Sequence, residues 1–177
     1  HDLDPTFVAF SRNPRFASVA AAIGIARPLL LQSMYIFKQP RIGGEVSCHQ
    51  DSTFIHTDPL SCVGFWLALE DATEANGCMW AERGGHRRPL RARFVREGNT
   101  TRMLTLDPEP LPTRALVPLP ATKGTLILLH GQLPHRSGPN GSDHSRHAFA
   151  LHLIDGTCRY SADNWLRRGH DMPLRGF

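Results

Sequence analysis

After its first two dozen residues the chain changes pattern. Residues 1–24 predict helix: Asp4-Pro5 and Asn13-Pro14 each put a capping side chain before a proline at the first helical position, and Gly24 suits a helix end. Beyond Gly24 the apolar residues fall in short runs bounded by Gly, Pro, Asp or Ser. These are "QSMYIFKQ" (32–39), "EVSCHQDSTFI" (45–55), "CVGFWLALE" (62–70), "GTLILLHG" (124–131) and "HAFALHLID" (147–155). Short strands at such intervals predict a sandwich or barrel. Asn76-Gly77 sits where a tight turn precedes a further strand. "SADNWLRRG" (161–169) predicts a closing helix, with Ser161 as cap and Gly169 as stop. The pattern is that of one mainly β domain over residues 1–177, with helices at both ends.

Composition narrows the function more than the fold. Hydrophobic residues make up 41% and charged residues 20% of 177, ordinary for a globular chain. The run "VAAAIGIARPLLL" is interrupted by Arg27 and Pro28 and is too short to span a bilayer. No signal peptide is visible, and Cys48, Cys62, Cys78 and Cys158 show neither a CxxC pair nor a disulfide framework. These features predict an intracellular, cytoplasmic protein in a reducing compartment, and a monomer. The chain opens on His1 rather than methionine, which suggests an N-terminal truncation. Net charge is +4, and 18 of the 20 basic residues are Arg, a bias of the whole chain rather than a built basic surface.

Candidate chemistry concentrates in "SCHQDSTFIHTDP" (47–59), which holds two His-x-Asp triplets. On a strand, residues i and i+2 share a face, so His49 and Asp51 could present imidazole and carboxylate together. His56-Thr57-Asp58 runs into Pro59 and predicts a solvated loop between strands, with Asp58 bonding local backbone.

A third ligand has to come from elsewhere. His135, just past the apolar run "TLILLHGQLP", is the best candidate, and His130, at the end of that run, is its rival. Two histidines and one carboxylate on one face of a metal leave open positions, the arrangement of non-heme Fe(II) oxygenases. Arg146 opens the strand "RHAFALHL" and offers a planar fork for a carboxylate. Metal, open positions and carboxylate clamp point to 2-oxoglutarate as co-substrate.

Longer phrases carry a resemblance. "QSMYIFKQP…GGEVSCHQDSTF", "GFWLALEDATEANGCMW", "KGTLILLHGQLPHRSGPNGSDHSRHAFALHL" and "SADNWL" follow one another as in the phytanoyl-CoA dioxygenase family, which this chain resembles from Gln32 onward. The resemblance implies a double-stranded β-helix (jelly roll) holding Fe(II) through His49, Asp51 and His135. It implies that Arg146 and Ser137 bind the distal carboxylate of 2-oxoglutarate, and that Met34 and Trp66 line the co-substrate pocket. On pattern alone Trp66 could equally be core. The implied activity is hydroxylation of a C–H bond in a small molecule, with a lipid or acyl group as candidate substrate. O2 is the oxidant, 2-oxoglutarate is decarboxylated to succinate, and ascorbate is a candidate reductant. Asp51 favours hydroxylation over halogenation, since halogenating relatives carry a small residue there.

The chain also departs from the family. It reads "ERGGH" (82–86) where relatives read "PGSH", and the family's N-terminal portion, with a lysine used near the co-substrate, is absent. These departures motivate an alternative: a non-catalytic jelly-roll binding or scaffold protein that has lost turnover. A structural zinc protein fits poorly, because no closed four-ligand set is apparent. "HRRPLRARFVREGNTTR" (86–102) has Phe94 as its one aromatic residue, so it predicts a solvated loop and no nucleic-acid partner. His152 reads as a core or supporting histidine, His144 and His147 as surface, and the role of His86 is open.

Overall fold

Asp4 and Asn13 cap two short helices rather than one long one. In the computed structural model, which describes residues 1–112 and 114–177, these are α1 (Pro5–Ser11) and α2 (Pro14–Ala22). The Asp4 carboxylate accepts from the amides of Thr6 and Phe7, and the Asn13 side chain accepts from Arg15, so each cap satisfies amides the helix leaves free. Gly24 follows α2 at φ 83, the left-handed conformation that glycine adopts most readily.

The strands follow in chain order: β1 (Pro28–Lys38), β2 (Val46–His49), β3 (Thr57–Asp58), β4 (Val63–Ala68), β5 (Met79–Glu82) and β6 (Ala92–Glu97). Then come β7 (Thr100–Thr105), β8 (Leu116–Leu119), β9 (Leu126–His130), β10 (His135–Ser137), β11 (Arg146–Asp155) and β12 (Arg159–Tyr160). Two four-stranded antiparallel sheets, β1-β11-β4-β9 and β2-β10-β5-β8, make the jelly roll. Two-stranded pairs, β12-β3 and β6-β7, flank it.

Register assigns the faces of the larger sheet. The outer face carries Phe65, Phe149, Leu151 and Leu153, which bury against Phe16 and Ala20 of α2. Alternate residues of β11 face inward: Arg146, Ala148, Ala150 and His152. Their partners on β1 are Lys38, Ile36, Met34 and Gln32, and those of Ala148, Ala150 and His152 on β4 are Ala68, Trp66 and Gly64. A bulge between Leu30 and Gln32 adds one residue to β1 and reverses its phase. Leu30 therefore joins the outer core while Gln32 faces the interior cavity.

Three expectations need correction. No closing helix forms at 161–169: Ser161 starts only a turn, with Asn164 N donating to Ser161 O. The backbone beyond it is taken up laterally, since Asn164 bridges to Val95, Arg96 N donates to Asp163 O, and the Arg96 guanidinium donates to Trp165 O. Tertiary bonds outcompete a local helical preference worth a few tenths of a kcal/mol per residue. The Arg-rich segment 86–102 is a 3-10 turn followed by the β6–β7 hairpin, not a loop. Three of its arginines pair with carboxylates, Arg88 with Glu82, Arg91 with Asp107 and Arg93 with Asp163. Finally, the expected strand at 45–55 ends at His49 and gives way to a 3-10 turn over Asp51–Thr53.

Among the described residues, no helix is long and apolar enough to cross a membrane.

Candidate active site

β2 and β10 pair antiparallel with His49 opposite His135, so sheet register alone puts the two imidazoles together, ring centroids 4.3 Å apart. Each ring is oriented in the same way. His49 Nδ1 lies 2.8 Å from Ser47 O and His135 Nδ1 lies 2.9 Å from Leu133 O, in both cases the carbonyl two residues earlier. A carbonyl only accepts, so each Nδ1 carries the proton and each Nε2 keeps its lone pair for a metal.

Asp51 arrives by the turn, not along the strand. Phe54 N and Ile55 N both donate to Asp51 O, and Ser52 N donates to Gly131 O in the segment leading to β10. Gln50 is completely buried between the two proposed ligands. Its amide nitrogen donates to Gln132 O and Pro89 O, and its amide oxygen accepts from Arg91 N. One side chain thus ties the His49–Asp51 turn both to the loop before His135 and to the entry of β6. Nothing in the sequence singles out Gln50; its burial becomes visible only when three distant segments meet.

His49, Asp51 and His135 form the one three-residue ligand cluster among the described residues, their ligand atoms within 4.8 Å of one another. Asp51 Oδ1 is 3.5 Å from His49 Nε2 and 3.6 Å from His135 Nε2. Ligands about 2.1 Å from one ion at right angles would be about 3 Å apart, so a small inward shift closes the set. Burial opposes the charge on Asp51, yet His152 and His135 hold its carboxyl well below the usual carboxylate range. Burial keeps His135 below the ordinary imidazole value, ready as a neutral ligand. Two neutral imidazoles and an ionised carboxylate suit a first-row divalent ion, and the residues fit Fe(II). His130 is not part of the cluster: it is exposed, beside His86, and its Nδ1 accepts from Gln132 N.

A cavity of about 620 Å³ extends from this cluster to Arg146. Met34, Trp66, Ser137 and Arg146 all line it. Arg146 is 1% exposed, and among the described residues no carboxylate pairs with it. Its Nε donates to Gly77 O, its Nη2 reaches Ser137 Oγ at 3.4 Å, and its guanidinium lies 5.5 Å from the centre of the Trp66 ring. Nη1 has no partner. Burial lowers the Arg146 pKa to about 10, so it stays charged at neutral pH. A buried cation with a free donor calls for an anion. Ala148 and Ala150 separate Arg146 from His152 along β11, and their small side chains leave space for one. Trp66 resolves as both core and wall: it is 2% exposed, packed in the inner core, and lines the cavity.

No motif marks Lys38. It lies beside Arg146 at the sheet edge, and its Nζ donates to Gly138 O and Gly44 O. Burial and then the Arg146 charge lower it to about 8.

The second triplet stands apart. Thr57 and Asp58 form β3 against β12, where a solvated loop between strands was expected, and Asp58 pairs at the surface with Arg159 rather than with local backbone. His56 Nδ1 bonds Ser161 Oγ.

A family model described as phytanoyl-CoA dioxygenase (PhyH) matches residues 1–148. The chain belongs to the phytanoyl-CoA dioxygenase family. It is 46% identical over 177 residues to the phytanoyl-CoA dioxygenase of Arabidopsis thaliana, covering 98% of this chain and 61% of that protein. Against phytanoyl-CoA dioxygenase domain-containing protein 1 of Mus musculus it is 43% identical over 181 residues, covering 98% and 62%. The chain thus spans about three fifths of the length of these relatives.

Solved structures with the same fold include the non-heme alpha ketoglutarate dependent carbocyclase SnoK, with TM-score 0.71 and 20% identity over 96% of this chain and 71% of that one. The epimerase SnoN, in complex with Fe3+, alpha ketoglutarate and nogalamycin RO, gives TM-score 0.72 and 20% identity over 97% and 74%.

Within this phytanoyl-CoA dioxygenase family member the departing "ERGGH" stretch is well accommodated. Gly84 is left-handed at φ 74, and a Cβ on Gly85 would fall 2.7 Å from Glu82 Oε2 and 2.8 Å from Pro134, the residue before His135. Two glycines let this loop press against the segment that carries the third histidine.

Proposed function

We propose that this chain carries the core of an Fe(II)- and 2-oxoglutarate-dependent dioxygenase that hydroxylates a C–H bond of a small molecule. One observation carries the reading. A cavity joins an oriented His-Asp-His set at one end to a buried arginine that has no acid partner among the described residues at the other. His49, Asp51 and His135 would hold the metal. Arg146 and Ser137 would take the distal carboxylate of 2-oxoglutarate, with Trp66 and Met34 against its carbon chain.

With 2-oxoglutarate and O2, the bound metal supplies oxidative decarboxylation to succinate and CO2, coupled to hydroxylation of the substrate. The protein's part is placement. Ser47 O and Leu133 O aim the imidazoles, Asp51 contributes the negative charge, and Arg146 fixes the co-substrate's far end. Phe54, Ile55 and Leu129 exclude water from the wall around the metal. The same apolar lining favours a substrate whose reacting part is lipid-like or acyl-like, and ascorbate is a suitable reductant in the assay.

Anaerobic addition of Fe(II) and 2-oxoglutarate should produce a weak visible charge-transfer band, and admitting O2 should bleach it and release succinate. A band that forms but never decays to succinate would support the alternative of a binding protein without turnover. Folded protein that gives no band would overturn both readings.

A further inference from the structure

Asp51 has two oxygens, and they face different partners. Oδ1 points at the Nε2 atoms of His49 and His135, and Oδ2 lies 3.4 Å from Nε2 of His152. His152 is 7% exposed and sits on the inward row of β11, outside the three-residue ligand cluster. Opposite it on β4 is Gly64. A Cβ there would fall 2.9 Å from Asp51 Oδ2 and 3.5 Å from His152 Cδ2, so a glycine opens the space in which the two groups meet. Oδ2 is buried and makes no hydrogen bond of good geometry among the described residues, which leaves the His152 Nε2 contact at 3.4 Å to satisfy it.

We propose that His152 is a positioning residue that occupies Asp51 Oδ2 and so confines Asp51 to one-oxygen coordination of the metal. This rests on the reading that the cluster binds a divalent metal. The physical argument is one of competition. A carboxylate can bind a metal through one oxygen or two, and its second oxygen is drawn inward unless another donor claims it. Two histidines and one carboxylate oxygen leave three positions of an octahedron open; a chelating Asp51 would close one of them. 2-Oxoglutarate needs two positions and O2 needs one, so losing a position falls on the co-substrate or the oxidant. Outer-shell donors to metal-bound carboxylates commonly alter affinity by about 10–100-fold.

The test uses Co(II), which is redox-stable and whose visible absorption reports coordination number. Wild type, His152→Gln and His152→Leu are titrated with Co(II) and then with 2-oxoglutarate. His152→Gln keeps an N–H donor and should behave like wild type. His152→Leu should still bind Co(II) but hold 2-oxoglutarate roughly 10-fold more weakly, with a changed Co(II) spectrum. Equal 2-oxoglutarate affinity and equal spectra across all three proteins would overturn the inference. So would equal losses in the Gln and Leu variants, because a purely steric role does not distinguish them. Wild type that fails to bind Co(II) would instead bring down the metal reading on which this one rests.

Discussion

His49-Gln50-Asp51 and His56-Thr57-Asp58 have the same spelling, seven residues apart, and opposite fates. The first lies where β2 meets β10, so its histidine is paired by register with His135 and its aspartate is fully enclosed. The second lies in β3, paired with β12, where Asp58 and Arg159 meet in solvent. The middle residues differ as much. The Gln50 side chain is bonded to two segments remote in sequence, whereas the Thr57 hydroxyl bonds Pro59 O and Ser61, two and four residues away. A His-x-Asp motif therefore becomes a candidate ligand pair through what sits across the sheet from it.

The largest expected effect separates the triplets directly. Asp51→Ala or His49→Ala should weaken Co(II) binding by more than about 100-fold, beyond the range of outer-shell changes. His56→Ala and Asp58→Ala should leave it near wild type. Calorimetric titration of folded variants is the measurement, and metal lost from the His56 variant instead would reverse the assignment.

The middle residues sharpen the contrast. Gln50→Leu leaves two carbonyls and one amide in the interior without their partner, and should cost about 2–4 kcal/mol in urea unfolding. It should also weaken Co(II) binding, since the turn is then free to move. Thr57→Val should cost about 1 kcal/mol and leave metal affinity alone.

pH divides the two histidines in the metal-free protein. Burial opposes protonation of His49, but the Asp51 hydrogen bond and charge, with Ser47 O, outweigh it and raise its pKa above 6.5. His56 is lowered below 6.5 by burial and then by the Arg93 charge. The stability His49 contributes is therefore complete below the unfolded value and lost as pH rises through its raised folded value. The contribution of His56 is complete above the unfolded value and lost as pH falls through its lowered folded value. NMR titration should find the His49 ring changing above 6.5 and the His56 ring below it. Because metal displaces the His49 proton, Co(II) affinity should fall on acidification through the His49 transition, and His56→Phe should not alter that profile.

The smallest effect belongs to the exposed pair. Asp58→Asn breaks a contact with Arg159 in which both side chains are mostly exposed, so urea midpoints should move by less than about 1 kcal/mol. A larger loss would mean that β3 and β12 depend on that pair.

Local patterns carried a good deal of this. Asp4-Pro5 and Asn13-Pro14 mark their helix starts because capping and φ restriction are properties of adjacent residues. The runs at 32–39, 62–70, 124–131 and 147–155 mark strands because alternation and turn residues are local as well. The phrases around His49, Asp51, His135 and Arg146 were enough to point to a family and to name a candidate ligand set. Tertiary structure decided the rest. Ser161 and Gly169 promise a helix, but the β6–β7 hairpin takes the backbone of residues 163–165 into lateral bonds. His130 stays a rival to His135 along the chain until pairing places His135 opposite His49. Gln50, Gly64 and His152 carry no motif at all. Their roles come from burial and from contacts across 13 to 101 residues of chain, down to a 2.9 Å clearance beside Asp51. A sequence records which groups are available; only the closed fold sets which of them lose water together, and that exclusion turns a carboxylate and two imidazoles into a candidate metal site.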